Sequence, residues 1–198
     1  PLDDADTYNT IYSGKYVSVF QYDSSGMRNL ARQLRPENFD HLVAINCLYR
    51  PGPMKRPQDG GQSILEMYLD RRHGRAKIEN WHQELEPIFR PTLGLLLFQE
   101  QLMGLAQIIS GFNKVEADEY RAAVGKKDRE KFLAAQNKLI QRGISIGRDP
   151  KFMTDIADKV AGFARYGWNK GHAVAYSYIS YVTAWLETHY PHEYYTSL

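Results

Sequence analysis

A mainly α-helical fold is what this sequence predicts. Three observations carry that reading. Apolar residues recur three and four apart along most of the chain, Ser, Asn and Asp stand just before those runs, and Gly or Pro stands just after them. Only two stretches read as short strands, residues 16–21 by alternation and residues 93–98 as a wholly apolar run. The chain has 198 residues, enough to bury a core as one domain or as two small helical lobes. A division at the loop around residues 58–62 would make those lobes 1–57 and 62–198.

Taken in order, Asp3 or Asp4 caps a first helix that runs to about Tyr12 and stops at Gly14. After the strand-like 16–21, Ser24 or Ser25 supplies the next cap. Met27, Leu30, Ala31 and Leu34 then share one face before Pro36 breaks the run. A helix from about Asn38 turns Leu42, Val43, Ile45 and Cys47 inward, and these two helices are expected to pack on each other. In residues 50–54, Arg-Pro-Gly-Pro-Met, the prolines fix φ and remove donors while Gly52 permits a turn, which predicts a rigid corner without regular structure. Arg50 at that corner suits either helix-end carbonyls or contact with DNA or nucleotide. Residues 58–62 read as a flexible loop.

An amphipathic helix over 63–73, through Ile64, Met67, Tyr68 and Arg71, ends at Gly74. Its terminus, Arg71-Arg72-His73-Gly-Arg75, suits DNA phosphate or the negative end of its own helix dipole equally. The 93–98 run feeds a helix over 99–109 with Leu102, Leu105, Ala106 and Ile109 inward, where Glu100 reads as an electrostatic cap. Asn113 caps a helix carrying Tyr120 and Arg121 that closes at Gly125. The next, over 128–142, shows the stripe Phe132, Leu133, Gln136, Leu139 and Ile140. Pro150 opens a helix to Phe163, with Phe152, Ile156, Val160 and Phe163 inward.

Composition narrows the function classes. Lys and Arg number 25 against 23 Asp and Glu, a net charge of +2, so charge alone does not announce nucleic-acid binding. Cations concentrate locally at 71–75, 121–131 and 165–170, and acids at 3–6 and 116–119. One cysteine, Cys47, excludes an intramolecular disulfide framework and a cysteine-rich zinc site. No apolar run approaches the roughly 20 residues that span a bilayer, and Pro1-Leu-Asp-Asp resembles no signal peptide, so a soluble, cytoplasmic protein is expected. There is no Walker pattern, internal repeat or sustained heptad.

Residues 162–190 concentrate the chemistry. Gly162, Gly167 and Gly171 punctuate a basic, aromatic loop that leads into a long apolar helix, whose unpaired N–H groups near residues 171–173 suit an anion beside Lys170. His172 and Tyr176 stand four apart, with Ile179 and Thr183 continuing their stripe. Two readings fit: a nucleotide pocket, in which Tyr166, Trp168 or Tyr176 meets sugar and base and His172 makes a hydrogen bond, or core packing. Lys126, Lys127 and Arg129 likewise cluster at a helix start, either as an anion site or as solvated surface charge.

Residues 166–176, Tyr-Gly-Trp-Asn-Lys-Gly-His-Ala-Val-Ala-Tyr, together with 179–186 and His189-Tyr-Pro191, resemble the alpha subunits of bacterial DNA polymerase III, the C-family replicative polymerases. Three further blocks agree in order: Val19-Phe-Gln21 with Gly26-Met27, residues 48–54, and residues 99–103 followed by Val124-Gly-Lys-Lys127. The resemblance covers nearly the whole chain and implies a multi-helix fingers domain of a DNA-directed DNA polymerase, a nucleotidyltransferase of DNA replication. It implies that Arg121, Lys126, Lys127, Tyr166, Trp168, Asn169, Lys170, His172 and Tyr176 meet the incoming deoxynucleoside triphosphate. Arg50, Arg71, Arg72, Arg75 and Arg129 would meet primer–template DNA. The other implied partners are the palm and remaining domains of the same polymerase and replisome proteins, with no membrane.

No carboxylate cluster able to hold two metal ions can be assembled from this sequence. By the resemblance, Mg2+ belongs to palm aspartates outside the chain, so the segment alone is expected not to polymerise. Two positions depart from the family. Tyr120-Arg121 stands where two adjacent arginines are common, and Gly171 stands where serine is usual. Two other classes stay open: a non-enzymatic helical nucleic-acid-binding module, and a scaffold whose basic patches recognise a protein.

Overall fold

Several helix starts find the cap that local chemistry offers them. In a computed structural model that describes residues 1–55, 61–125, 128–163 (Phe163 by its backbone alone) and 167–198, the helices run α1 (Ala5–Ser13), α2 (Ser25–Leu34), α3 (Phe39–Leu48), α4 (Pro51–Met54), α5 (Ile64–Arg72), α6 (Glu86–Phe89), α7 (Gln99–Ser110), α8 (Lys114–Gly125), α9 (Arg129–Ser145), α10 (Pro150–Phe163), α11 (Lys170–His189) and α12 (Pro191–Thr196). Asp4, Ser24, Asn38, Ser63 and Asp128 each accept a backbone N–H from the first turn of the helix that follows, and Ser63 forms a reciprocal capping box with Glu66. Asn113 and Glu116 make the same reciprocal pair at α8. Gly14 closes α1 at φ 65°, a conformation that costs glycine little.

The chain forms two units: Pro1–Ala76 with Lys170–Leu198, and Lys77–Asn169. In the first, α11 packs on α3 and α1. Its buried face is small and polar, Ala173, Ser177, Ser180 and Ala184 with Tyr181 and Glu187, so backbones approach closely. Asn46 of α3 donates to the Ser177 hydroxyl at 2.8 Å, and Tyr181 meets Tyr8 ring to ring at 5.5 Å. The aromatic residues of α11 are therefore not simply its core face: Tyr178 is 54% exposed. The expected packing of α2 on α3 is present, and Gly26 allows it, because a Cβ there would fall 2.1 Å from the Tyr49 hydroxyl oxygen. In the second unit, Leu85, Phe89, Leu105, Ile109, Leu139 and Met153 are among the residues of one core.

Several expectations are corrected. Residues 16–21 form no strand. Their amides turn to side chains of α11: Val17 and Ser18 donate to Glu187 at 2.8 and 3.3 Å, and Phe20 donates to Thr183 Oγ1 at 3.0 Å. Residues 93–98 are buried from Gly94 onward but, among the described residues, pair only once, where Phe98 bridges Trp168 in parallel. The 50–54 corner includes one helical turn, since Pro51 at the first position gives up a donor that the turn leaves unused, and Met54 N–H closes it on Arg50 O at 3.1 Å. On α9, Leu133 faces out at 49% exposure while Gln136, Leu139 and Gly143 are buried. On α10, Met153 and Ala157 join Ile156 and Val160 inside, and Phe152 is only half-buried. The loop expected at 58–62 lies, for residues 58–60, outside the described residues. Among those described, no helix is long and apolar enough to cross a membrane.

His41 makes the first unit sensitive to acid. Its Nδ1 accepts the Glu37 N–H at 3.1 Å in the first turn of α3, and burial, with the Arg72 charge second, pushes its pKa down to about 4 from 6.5. A base whose folded pKa is depressed contributes stability that is present above 6.5 and is lost as pH falls toward 4. Chemical denaturation followed by Trp185 fluorescence should therefore lose on the order of 1–3 kcal/mol across that interval. A His41→Gln variant should lose markedly less, and an equal loss would refute the assignment.

Candidate nucleotide and nucleic-acid interface

In the second unit the chain brings Arg121, Gln99 and residues 167–168 together. The start of α7 is fixed by a backbone exchange in which Trp168 N–H donates to Leu97 O at 2.9 Å and Gln99 N–H donates to Trp168 O at 2.8 Å. Beneath it lies Gln101, 4% exposed. Its Oε1 accepts from the Leu97 and Phe98 amides at 2.7 and 2.8 Å, and its Nε2 donates to Thr92 Oγ1 at 2.8 Å and to the Ile88 and Leu95 carbonyls at 3.2 Å each. This frame holds Gln99 outward, where its Oε1 accepts from Arg121 Nη1 at 3.2 Å and its Nε2 donates to Gly167 O at 3.4 Å.

Arg121 itself projects from α8. Its Nε meets Asp118 Oδ1 at 2.7 Å, and this hydrogen bond holds the Asp118 carboxyl below the usual carboxylate range. Held on two sides, the guanidinium remains 30% exposed, so an anion can reach it. Its neighbour Tyr120 turns the other way. It is 2% exposed, with its hydroxyl donating to Gln136 Oε1 at 3.1 Å, so position 120 belongs to the core. Lys126, Lys127 and Tyr166 lie outside the described residues. Arg129 is exposed at the start of α9 beside the Asp128 cap, Trp168 is half-buried and Asn169 exposed.

In the first unit, Lys170 is half-buried as the first residue of α11, one position earlier than Gly171 had suggested. His172 is exposed and lies on Tyr176, ring centroids 4.0 Å apart at 37°, and Tyr176 meets Phe20 at 5.7 Å. The i, i+4 spacing thus yields a continuous ring surface, which Phe20 extends. Sequence reasoning left out Phe20 in this unit and Gln99 and Asp118 in the second. Phe20 and Gln99 stood in the blocks that carried the family resemblance, and that was the available signal for them.

The candidate DNA contacts divide by what already holds them. Arg50 Nε donates to Cys47 O at 2.6 Å. Arg72 pairs with Glu37 at 2.6 Å and also donates to Arg35 O at 3.1 Å, and Arg75 pairs with Asp70 at 2.7 Å. Arg71 is half-buried on α5. Cys47 is buried, and burial pushes its thiol up to about 11, so it is no nucleophile. Among the described residues no group of three His, Cys, Asp or Glu could hold a metal ion.

Comparison with known proteins places the sequence in a family. The sequence model described as the bacterial DNA polymerase III alpha subunit finger domain matches residues 1–147. The DNA polymerase III subunit alpha of Chlamydia trachomatis is 40% identical over 198 residues, covering 100% of this chain and 15% of the relative. That of Aquifex aeolicus is 40% identical over 195 residues, 98% of this chain and 16% of the relative. That of Escherichia coli K12 is 36% identical over 199 residues, 98% of this chain and 17% of the relative. The chain thus spans about a sixth of the length of these relatives.

Proposed function

The chain belongs to the finger-domain family of the bacterial DNA polymerase III alpha subunit, and from that membership we propose that it serves a template-directed DNA polymerase by holding the incoming deoxynucleoside triphosphate and primer–template DNA. The observation that carries the reading is the guanidinium of Arg121, braced by Asp118 and Gln99 yet open on its remaining side. A braced cation costs little reorganisation when a triphosphate arrives, and its forked donors match phosphate oxygens. Lys170, at the positive end of α11, supports the same role in the first unit, and the His172–Tyr176 ring surface suits a sugar or base. The same role falls to Lys126 and Lys127 by their place in the sequence. Template pairing supplies base choice. Mg2+ would stabilise the attacking and leaving oxygens from carboxylates outside this chain.

Single-nucleotide primer extension by the full-length protein tests the proposal. Arg121→Ala and Lys170→Ala are each expected to lower kcat/KM for the deoxynucleotide by roughly ten- to a hundredfold while primer–template affinity stays unchanged. Wild-type kinetics combined with weakened, salt-sensitive DNA binding would instead favour a nucleic-acid-binding module.

A further inference from the structure

We propose that the cleft of about 340 Å³ between the C-terminal ends of α2 and α5, lined by Arg32, Gln33, Arg35, Leu69, His73 and Arg75, binds the phosphates of an unpaired DNA strand. The proposal rests on the DNA-binding reading above and gives that reading a location and a strand type.

The charge of Arg32 and Arg35 in this cleft is not spent on carboxylates, whereas that of Arg75 is shared with Asp70. Arg32 gives its Nε to the Ser13 carbonyl at 3.1 Å, and among the described residues neither Arg32 nor Arg35 has an acidic partner. The nearby acids are engaged elsewhere, Glu37 with Arg72 and Asp70 with Arg75, and neither lines the cleft. Two guanidiniums therefore face it uncompensated, beside the Arg75 side chain and the His73 imidazole, whose Nε2 lies 2.7 Å from Gln33 O. Guanidinium forks match phosphodiester oxygens in pairs.

The backbone is bent to place one of them. Arg35 sits at φ 54°, the left-handed conformation in which a helix usually ends on glycine. A side chain there is paid for in strain, and its guanidinium lies over the ring of Tyr12 at 5.6 Å. Tyr12 is 38% exposed. A cationic groove beside an exposed aromatic ring is the arrangement that holds single strands, phosphates in the groove and a base on the ring. A paired duplex would bring no free base face to Tyr12.

The test is fluorescence anisotropy of the full-length protein with a thymidine oligomer of about 12 nucleotides and, separately, with blunt duplex and primer–template DNA, each across a salt series. The double variant Arg32→Gln, Arg35→Gly is expected to bind the oligomer roughly ten- to a hundredfold more weakly at low salt, with the log–log salt slope reduced by about 1.4. Because glycine relieves the backbone at position 35, the thermal transition should not fall. The Arg32→Lys, Arg35→Lys variant should recover most of the binding. Unchanged oligomer affinity and slope in the first variant would overturn the proposal, as would a loss confined to blunt duplex. If the wild type binds primer–template and the variant binds the oligomer normally, the cleft alone is refuted. If the wild type binds none of the three, the DNA-binding reading fails first.

Discussion

Replacing Gln101 with leucine is expected to cost the second unit about 4 kcal/mol of folding stability, although the two side chains are close in volume. The near match in size keeps the cavity term small, so the loss isolates hydrogen bonding. In the wild type every polar capacity of this amide is used: its oxygen takes two backbone donors and its nitrogen serves three acceptors. Leucine would strand the Leu97 and Phe98 amides in a buried segment, each at roughly 1–3 kcal/mol. The Leu95 carbonyl would still accept the Thr92 hydroxyl at 2.6 Å, which keeps the total below a simple sum. Urea denaturation followed by Trp81, whose ring stacks on Phe89 at 4.6 Å, reads this unit directly. A drop under about 1 kcal/mol would show that water replaces the amide and that the network is not what fixes the α7 entrance. The functional consequence follows from geometry, because the same entrance carries Gln99, and Gln99 braces Arg121.

Where structure was legible in the sequence, the partners were neighbours. Asp4, Ser24, Asn38 and Ser63 cap helices through bonds that span three residues, and Lys170, His172 and Tyr176 fall at a helix start by spacing alone. Gln101 and Glu187 were not legible in this way. A polar residue on a helix ordinarily faces water, and nothing local announces that Glu187 meets amides 169 and 170 positions away. The aromatic stripe of α11 failed for a related reason: close packing against α3 and α1 favours Ala and Ser at the contact, which leaves bulky rings for the other side. Position 120 shows the same limit at the site, since a core-facing tyrosine and a phosphate-facing arginine differ by about a quarter turn of helix. Gln99 and Phe20 escaped because their roles depend on elements that meet only after folding.

Glu187→Ala is expected to destabilise the first unit by about 3 kcal/mol, because it releases the segment that stands where a strand was predicted. Residues 16–21 alternate like a strand but, among the described residues, have no strand to pair with. Two of their amides are satisfied by one carboxylate, 8% exposed, that takes Val17 and Ser18 at once and also accepts the Tyr195 hydroxyl at 2.5 Å. That last bond holds the Tyr195 phenol up at about 12, chiefly because losing the proton would forfeit the hydrogen bond to Glu187, with burial second and the Glu187 charge third. A phenol raised in the folded state contributes stability below its ordinary value of 10.0, and that contribution fades as pH climbs toward 12. Alanine should therefore both lower the transition and return Tyr195 to ordinary titration, which ultraviolet difference spectra between wild type and variant can follow. Glu187→Gln retains an acceptor for Val17 and Tyr195 but turns an N–H toward Ser18, so its loss should be about half that of alanine. Equal losses for both variants would mean that charge, and not the pattern of acceptors, secures the segment. The arrangement reaches the candidate site through Phe20, whose amide is held by Thr183 in the same segment and whose ring meets Tyr176. Loosening residues 16–21 should therefore weaken the ring surface beside His172 before it unfolds the unit.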